Sequence, residues 1–176
     1  MATCFDVAKY FIATADPETG ISNLSLQKLC AYAQAVSLAL GEGTLFTDEI
    51  EAWTHGPVIK RLYDKYKACG RDAIDPEGLD AEHAAALFPP EKRFILEAVR
   101  SFYGRFNVWA LRDMSHADFP GDFGSQKTIP REAMAQAFAD NALVRKIRHF
   151  DEKCEELKEK AFIPANPQRI WDALQA

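Results

Sequence analysis

The sequence predicts an all-α or nearly all-α fold, a compact multi-helix bundle around one central buried helix. Three observations predict it. Apolar residues recur at helical spacing along most of the chain, β-branched residues are few with no long alternating run, and residues 24–40 are apolar nearly all the way round. The 176 residues, 48% hydrophobic and 27% charged, suit a single globular body with an appendage and supply enough apolar material for a sizeable core.

In a first helix, Cys4, Phe5, Val7, Ala8, Phe11, Ile12 and Ala15 share one side while Asp6 and Lys9 take the other, and Asp16-Pro17-Glu18-Thr19-Gly20 ends it with turn residues. The second, from about Leu24 to Leu40, carries only Gln27, Lys28, Gln34 and Ser37 as polar members of any size. It is expected at the centre, with Ser22 or Asn23 as N-cap and Gly41 closing it. Leu45 to Trp53 reads equally as a short helix or an extended piece. A third helix is expected to begin at Gly56-Pro57, because proline loses no needed hydrogen bond at a first helical position, and to stop at Cys69-Gly70.

Further helical patterns cover Asp80–Phe88, Glu91–Tyr103 and Val108–Met114, the last capped by Asn107, before a polar, glycine-rich loop from Asp118 to Lys127. The last long helix begins near Pro130 with a break expected at Asp140-Asn141. Beyond it Leu143, Ile147, Phe150, Cys154, Leu157 and Ala161 recur at steps of 4, 3, 4, 3 and 4, a heptad stripe. That stripe either packs back on the body, as a monomer, or forms a homodimer or grips a partner through 143–161. Residues 1–140 are therefore expected to form the helical body, and 141–176 an amphipathic heptad helix and C-terminal tail.

Composition excludes several function classes. With 26 acidic and 21 basic residues, a net charge of −5, the chain lacks the basic excess of a nucleic-acid binder, so nucleic acid is not the expected partner. The start, Met1-Ala2-Thr3-Cys4-Phe5-Asp6, has no basic n-region, and no stretch approaches the roughly 18 apolar residues of a membrane span. A cytoplasmic protein with no membrane partner is expected. Cys4, Cys30, Cys69 and Cys154 are far apart inside helical patterns and read as small hydrophobes, not a disulfide framework.

No chemistry-bearing constellation stands out. His55, His83, His116 and His149 are isolated from one another and from every cysteine, so no metal is expected. Gly41-Glu42-Gly43 follows a helix and lacks a Lys-Ser/Thr after it, which is a cap and turn, not a phosphate cradle. Ser115-His116-Ala117-Asp118 are neighbours in sequence, whereas triad members converge from separate parts of a fold; a helix-ending turn is the reading. The chain is expected to have no catalytic residues and no cofactor, and not to be an enzyme.

The third helix is more informative. Ile59, Leu62, Tyr63, Tyr66 and Cys69 fall on one arc, and Lys60, Arg61, Lys65, Lys67 and Arg71 on the opposite one with Asp64 alone among them. Such a face is solvated whatever else it does. In an acidic protein it also attracts an acidic partner surface and steers its approach. The alternative is a DNA-binding regulator using the basic helix 58–71.

Three stretches together resemble the Panacea antitoxin domain, the GepA/SocA-like family of phage-associated and toxin–antitoxin proteins. The first is Ile21-Ser22-Asn23-Leu24, Leu26-Gln27-Lys28-Leu29 and Tyr32-Ala33-Gln34-Ala35. The second is Ile50-Glu51-Ala52-Trp53 and His55-Gly56-Pro57-Val58, with Leu62-Tyr63 and Tyr66 behind it, and the third is Leu111, Ser115-His116 and Asp118 near Pro120. Where the family has two aromatics before the Ala-Gln of the first stretch, this chain has Ala31 in the first place, and where it has Pro-Trp in the third this chain has Pro120-Gly121. The resemblance covers Val7 to Phe138. It implies a helical antitoxin that neutralises a partner protein toxin by direct contact, and in some members an adaptor that presents the toxin to an ATP-dependent protease. The candidate partner-binding residues are Lys60, Arg61, Lys65 and Lys67 of the basic arc with Trp53 and His55 of the second stretch. Trp53 packing beneath the start of the third helix is as good a reading as Trp53 touching the partner.

Overall fold

A computed structural model describes residues 2–76 and 78–160, for 156–160 the backbone only. Helix α1 (Cys4–Ala13) and the long α2 (Asn23–Ala39) come first, then a small hairpin of β1 (Glu51–Trp53) and β2 (Gly56–Val58). Helices α3 (Lys60–Tyr66), α4 (Ala81–Ala86), α5 (Pro90–Tyr103), α6 (Val108–Asp118), α7 (Arg131–Phe138) and α8 (Ala142–Lys160) follow. The protein is mostly helical, and that hairpin is the one sheet among the described residues.

Local signals set the helix starts. Thr3 and Asp6 form a reciprocal capping box on α1, the Thr3 amide donating to Asp6 Oδ2 at 2.9 Å and the Asp6 amide to Thr3 Oγ1 at 3.3 Å. Ser22 is the cap of α2, its hydroxyl accepting from the Ser25 amide. Gly41, at φ +83°, lets the chain turn away past the other end.

Helix α2 is the centre. Residues 26–37 are all buried, polar and apolar alike. Helices α1, α5, α6 and α7 pack around it with the hairpin, and α8 closes over α2 and α5. Tyr32 lies at the middle of the aromatic core, stacked on Tyr103 at 3.8 Å and edge-on to Phe119 and Phe138.

The expected helix start at Gly56-Pro57 is wrong. Those residues form β2, paired antiparallel with β1 in the register Glu51↔Val58, Ala52↔Pro57 and Trp53↔Gly56, and α3 begins at Lys60. Gly56 sits at φ +96°, a left-handed conformation no helix accepts. The Pro57 carbonyl that a helix would use internally is held by Lys28 instead. That partner lies far back in the chain, where a local pattern cannot show it. Helix α6 runs past Met114 to Asp118, so Ser115 and His116 form its last turn as the helix-ending reading has it, and Asp118 belongs to that turn and not to the loop.

The break at Asp140-Asn141 is real. Asn141 Oδ1 accepts from the Leu143 amide at 2.9 Å and from the Tyr103 hydroxyl at 3.1 Å, so α8 restarts there as a separate helix. Leu143, Val144 and Ile147 are buried against the body, Cys154 is half-buried, and Phe150 is 57% exposed, stacked over Phe94 at 6.3 Å. The side chain of Leu157, and Ala161 with the tail after it, lie outside the described residues. No described helix is long and apolar enough to cross a membrane.

Candidate functional site

Gln27, Lys28, Gln34 and Ser37 of α2 do not face solvent; each captures backbone of the segment that follows. Gln27 Oε1 accepts from the Ile59 amide at 2.9 Å while its Nε2 donates to Asn23 Oδ1. Lys28 Nζ donates to the Pro57 carbonyl at 2.9 Å. Gln34 Oε1 accepts from the Leu45 amide at 2.8 Å, and its Nε2 donates to the Phe46 carbonyl at 3.0 Å. Backbone groups that would otherwise be buried without partners are satisfied by these few side chains, which fixes the path of residues 45–59 over α2. Burial, with the Arg112 guanidinium as a second cause, pulls the Lys28 ammonium down to about 7.

Helix α6 closes the arrangement from the other side. A Cβ on Gly56 would lie 2.6 Å from Ser115 Oγ and 3.1 Å from Lys28 Nζ, so only glycine lets the hairpin seat there. His116 Nε2 lies 3.2 Å from the Thr54 carbonyl, and its ring meets Phe123 edge-on at 4.5 Å. Burial first, then Arg112, lowers the His116 imidazole below its ordinary value. Tyr32 donates to Asp118 Oδ2 at 2.8 Å, and burial raises that carboxyl above the usual carboxylate range. The three motif stretches thus converge on one buried polar assembly, and its product is the placement of the hairpin.

On the outside, the hairpin and its neighbours line a groove of about 620 Å³ with Trp53, His55, Tyr63, Lys67, Arg71 and Trp109 among its walls. Trp53 is half-buried, packed on Tyr63 at a ring separation of 5.0 Å, and its Nε1 donates to Glu51 Oε2 at 2.7 Å. Trp109, in the first turn of α6, is 57% exposed.

Of the six residues read from the sequence as partner-binding, Trp53, His55 and Lys67 line this groove; Lys60, Arg61 and Lys65 do not. Lys60, Arg61, Lys65 and Lys67 are all exposed, as their arc predicts. Their charges are partly engaged: Asp64 holds Lys60 at 2.6 Å and Lys67 at 3.1 Å, and Arg61 meets Asp48 at 2.8 Å. The Arg61 guanidinium and the Lys65 ammonium also sit over the Phe5 ring at 5.1 and 5.0 Å. Trp109 was not among the candidates. It stands two positions from the buried Leu111, hence on the opposite side of the helix wheel, and that offset is the signal the sequence does carry.

Fold and site together define a small helical domain built to seat a hairpin by buried polar contacts and to present aromatic and cationic side chains beside it. Residues 26–120, over half of the chain, match the family described as antitoxin SocA-like, Panacea domain, and the chain belongs to that family. The match runs from Leu26 in the first turn of α2 through α6 and so contains the polar assembly apart from Asn23. No curated protein and no solved structure matches the chain. Membership supports a role of toxin–antitoxin type, non-enzymatic, with a protein toxin as partner.

Proposed function

We propose that this chain is an antitoxin that neutralises a partner protein toxin in the cytoplasm by direct binding. The contact face is built on the hairpin and α3, with Trp53, His55, Lys60, Arg61, Lys65 and Lys67. The observation that carries this reading is the family match over the elements that hold and present the hairpin. Exposed cations beside half-buried aromatics supply the two components a protein interface uses, electrostatic capture and a desolvated anchor. Delivery of the bound toxin to an ATP-dependent protease is a finer form of the same reading, supported by α8, which carries exposed Phe150 beyond its packed beginning. The DNA-binding alternative has less support: α3 is a 7-residue helix, and Asp64 and Asp48 already pair with Lys60, Arg61 and the adjoining Lys67.

The test is co-expression. Each open reading frame beside this gene is induced with and without the chain, and growth is followed. One neighbour should arrest growth alone and be relieved by the chain, with a complex recovered by size exclusion from purified components. Failure of every toxic neighbour to be relieved overturns the reading. Toxin half-life with and without the chain then tests the adaptor form.

A further inference from the structure

We infer that the groove between the hairpin and the first turns of α2 and α6 docks an extended, carboxylate-bearing segment of a partner protein. This deepens the antitoxin reading and rests on it for the class of partner. The charge of the groove is the main argument. The chain has 26 acidic residues against 21 basic ones, yet among the described residues no Asp or Glu lines this groove, while Lys67, Arg71 and His55 do. Asp64 holds Lys67 but does not itself line the groove. Asn23 and Leu24 of α2 belong to the wall, so the positive end of a 17-residue helix adds to the same field. An anionic occupant is the one that the described lining residues favour by charge, with Asp64 and Glu51 set behind Lys67 and Trp53 and outside the lining.

The apolar part of the wall says what else the occupant carries. Trp53 is braced by Tyr63, its neighbour in the wall, and by Glu51, so its ring is already fixed and loses little freedom on binding. Trp109 leaves more than half of its surface in water on a helix whose other side is buried, as Leu111 and Ser115 show. Two tryptophans beside two guanidinium or ammonium groups match a short segment with an apolar side chain flanked by Asp or Glu. Two cations and a histidine are too few to track a nucleic-acid backbone with useful affinity.

The test uses the full chain, immobilised, against a phage-displayed library of random dodecapeptides. The strongest selected peptide is then synthesised with a fluorescent label and followed by anisotropy, beside a labelled dT10 oligonucleotide. Selected peptides should be enriched in Asp and Glu around an apolar residue. Binding of the synthetic peptide should weaken by about tenfold or more in Trp109→Ala and in the double variant Lys67→Glu/Arg71→Glu. All three substitutions are at exposed positions, and matching melting curves establish that the variants are folded. Enrichment of basic or neutral peptides, no enrichment, equal binding by both variants, or preference for dT10 would each overturn the proposal. Failure here with growth relief intact removes the groove and not the antitoxin reading; failure of growth relief with peptide binding intact does the reverse.

Discussion

Lys28 Nζ and the Pro57 carbonyl oxygen, 2.9 Å apart, join the buried centre of α2 to the inner strand of the hairpin. The ammonium is fully buried and drawn down to about 7, from an ordinary value of 10.5, by burial and then by Arg112. Because the folded value lies below the unfolded one, the unfolded chain binds the extra proton between these limits, and stability rises with pH there. The gain is at most about 1.4 kcal/mol per pH unit and begins near neutrality. Burial raises the Cys4 and Cys30 thiols above their ordinary 9.0, so above that pH they act in the opposite sense. The clean window is therefore pH 7 to 9. Urea unfolding across it should show wild type gaining stability with pH and Lys28→Met gaining much less; parallel curves would contradict the assignment.

Gly56→Ala should destabilise by roughly 1–3 kcal/mol, since the added Cβ meets Ser115 Oγ and the backbone at φ +96° disfavours any side chain. Gly41 provides the comparison. Its φ is +83° but nothing lies within 4 Å of an added Cβ, so Gly41→Ala should cost less, about 1 kcal/mol of backbone strain alone. Chemical denaturation of the pair separates steric from conformational cost, and equal losses would remove the close approach of α6 from the account.

Gln34→Leu keeps a good helix former in α2 but leaves the Leu45 amide and the Phe46 carbonyl buried without their partner. Each orphaned group costs about 1–3 kcal/mol, so the substitution should rank with the most damaging in the protein. A loss under about 1 kcal/mol would mean that water replaces the side chain.

Much of this was legible in the sequence and part was not. The helical periodicity of α1, α5 and α7, the caps at Ser22 and Asn107, and the near-uniform hydrophobicity of α2 are local signals, and they placed the bundle correctly. The hairpin was not legible because its determinants, Lys28 and Ser115, approach Gly56-Pro57 only through tertiary contact. Local rules read Gly-Pro as a helix start when the polar residues of a distant helix make it a strand. The solvated arc from Lys60 to Lys67 is exposed as its spacing predicts, but periodicity cannot show that Asp48 and Asp64 engage three of its charges or that Trp109 lines the same groove as Lys67.

The beginning of α8 belongs to the core. Ile147→Asp should therefore destabilise by several times more than Phe150→Ser, because Ile147 is 5% exposed and Phe150 57%. Removing everything after Asn141 strips Leu143, Val144 and Ile147 from the body and should lower the melting temperature. Light scattering of the full chain beside Phe150→Ser tests the dimer option: equal masses leave α8 as an element of the monomer.

Lys60 and Lys65 of α3, Lys67 just after it, and Arg61 separate by partner. Lys60→Glu, Lys65→Glu and Lys67→Glu should each change stability by no more than about 0.5 kcal/mol, as exposed charges do. Arg61→Glu should cost more, since Asp48, its side chain only 9% exposed, then faces a like charge.

The most direct test of the central claim is the association rate of the chain with the toxin found by growth relief, measured by stopped flow at low and high salt. Wild type should associate fast at low salt and slow steeply as salt is added, and the Lys60→Glu/Lys65→Glu/Lys67→Glu variant should be about tenfold slower at low salt while still melting cooperatively, at a temperature lowered only by the loss of the exposed Asp64 pairs. A folded variant that associates as fast as wild type and relieves growth equally well would contradict the account that this face captures the toxin.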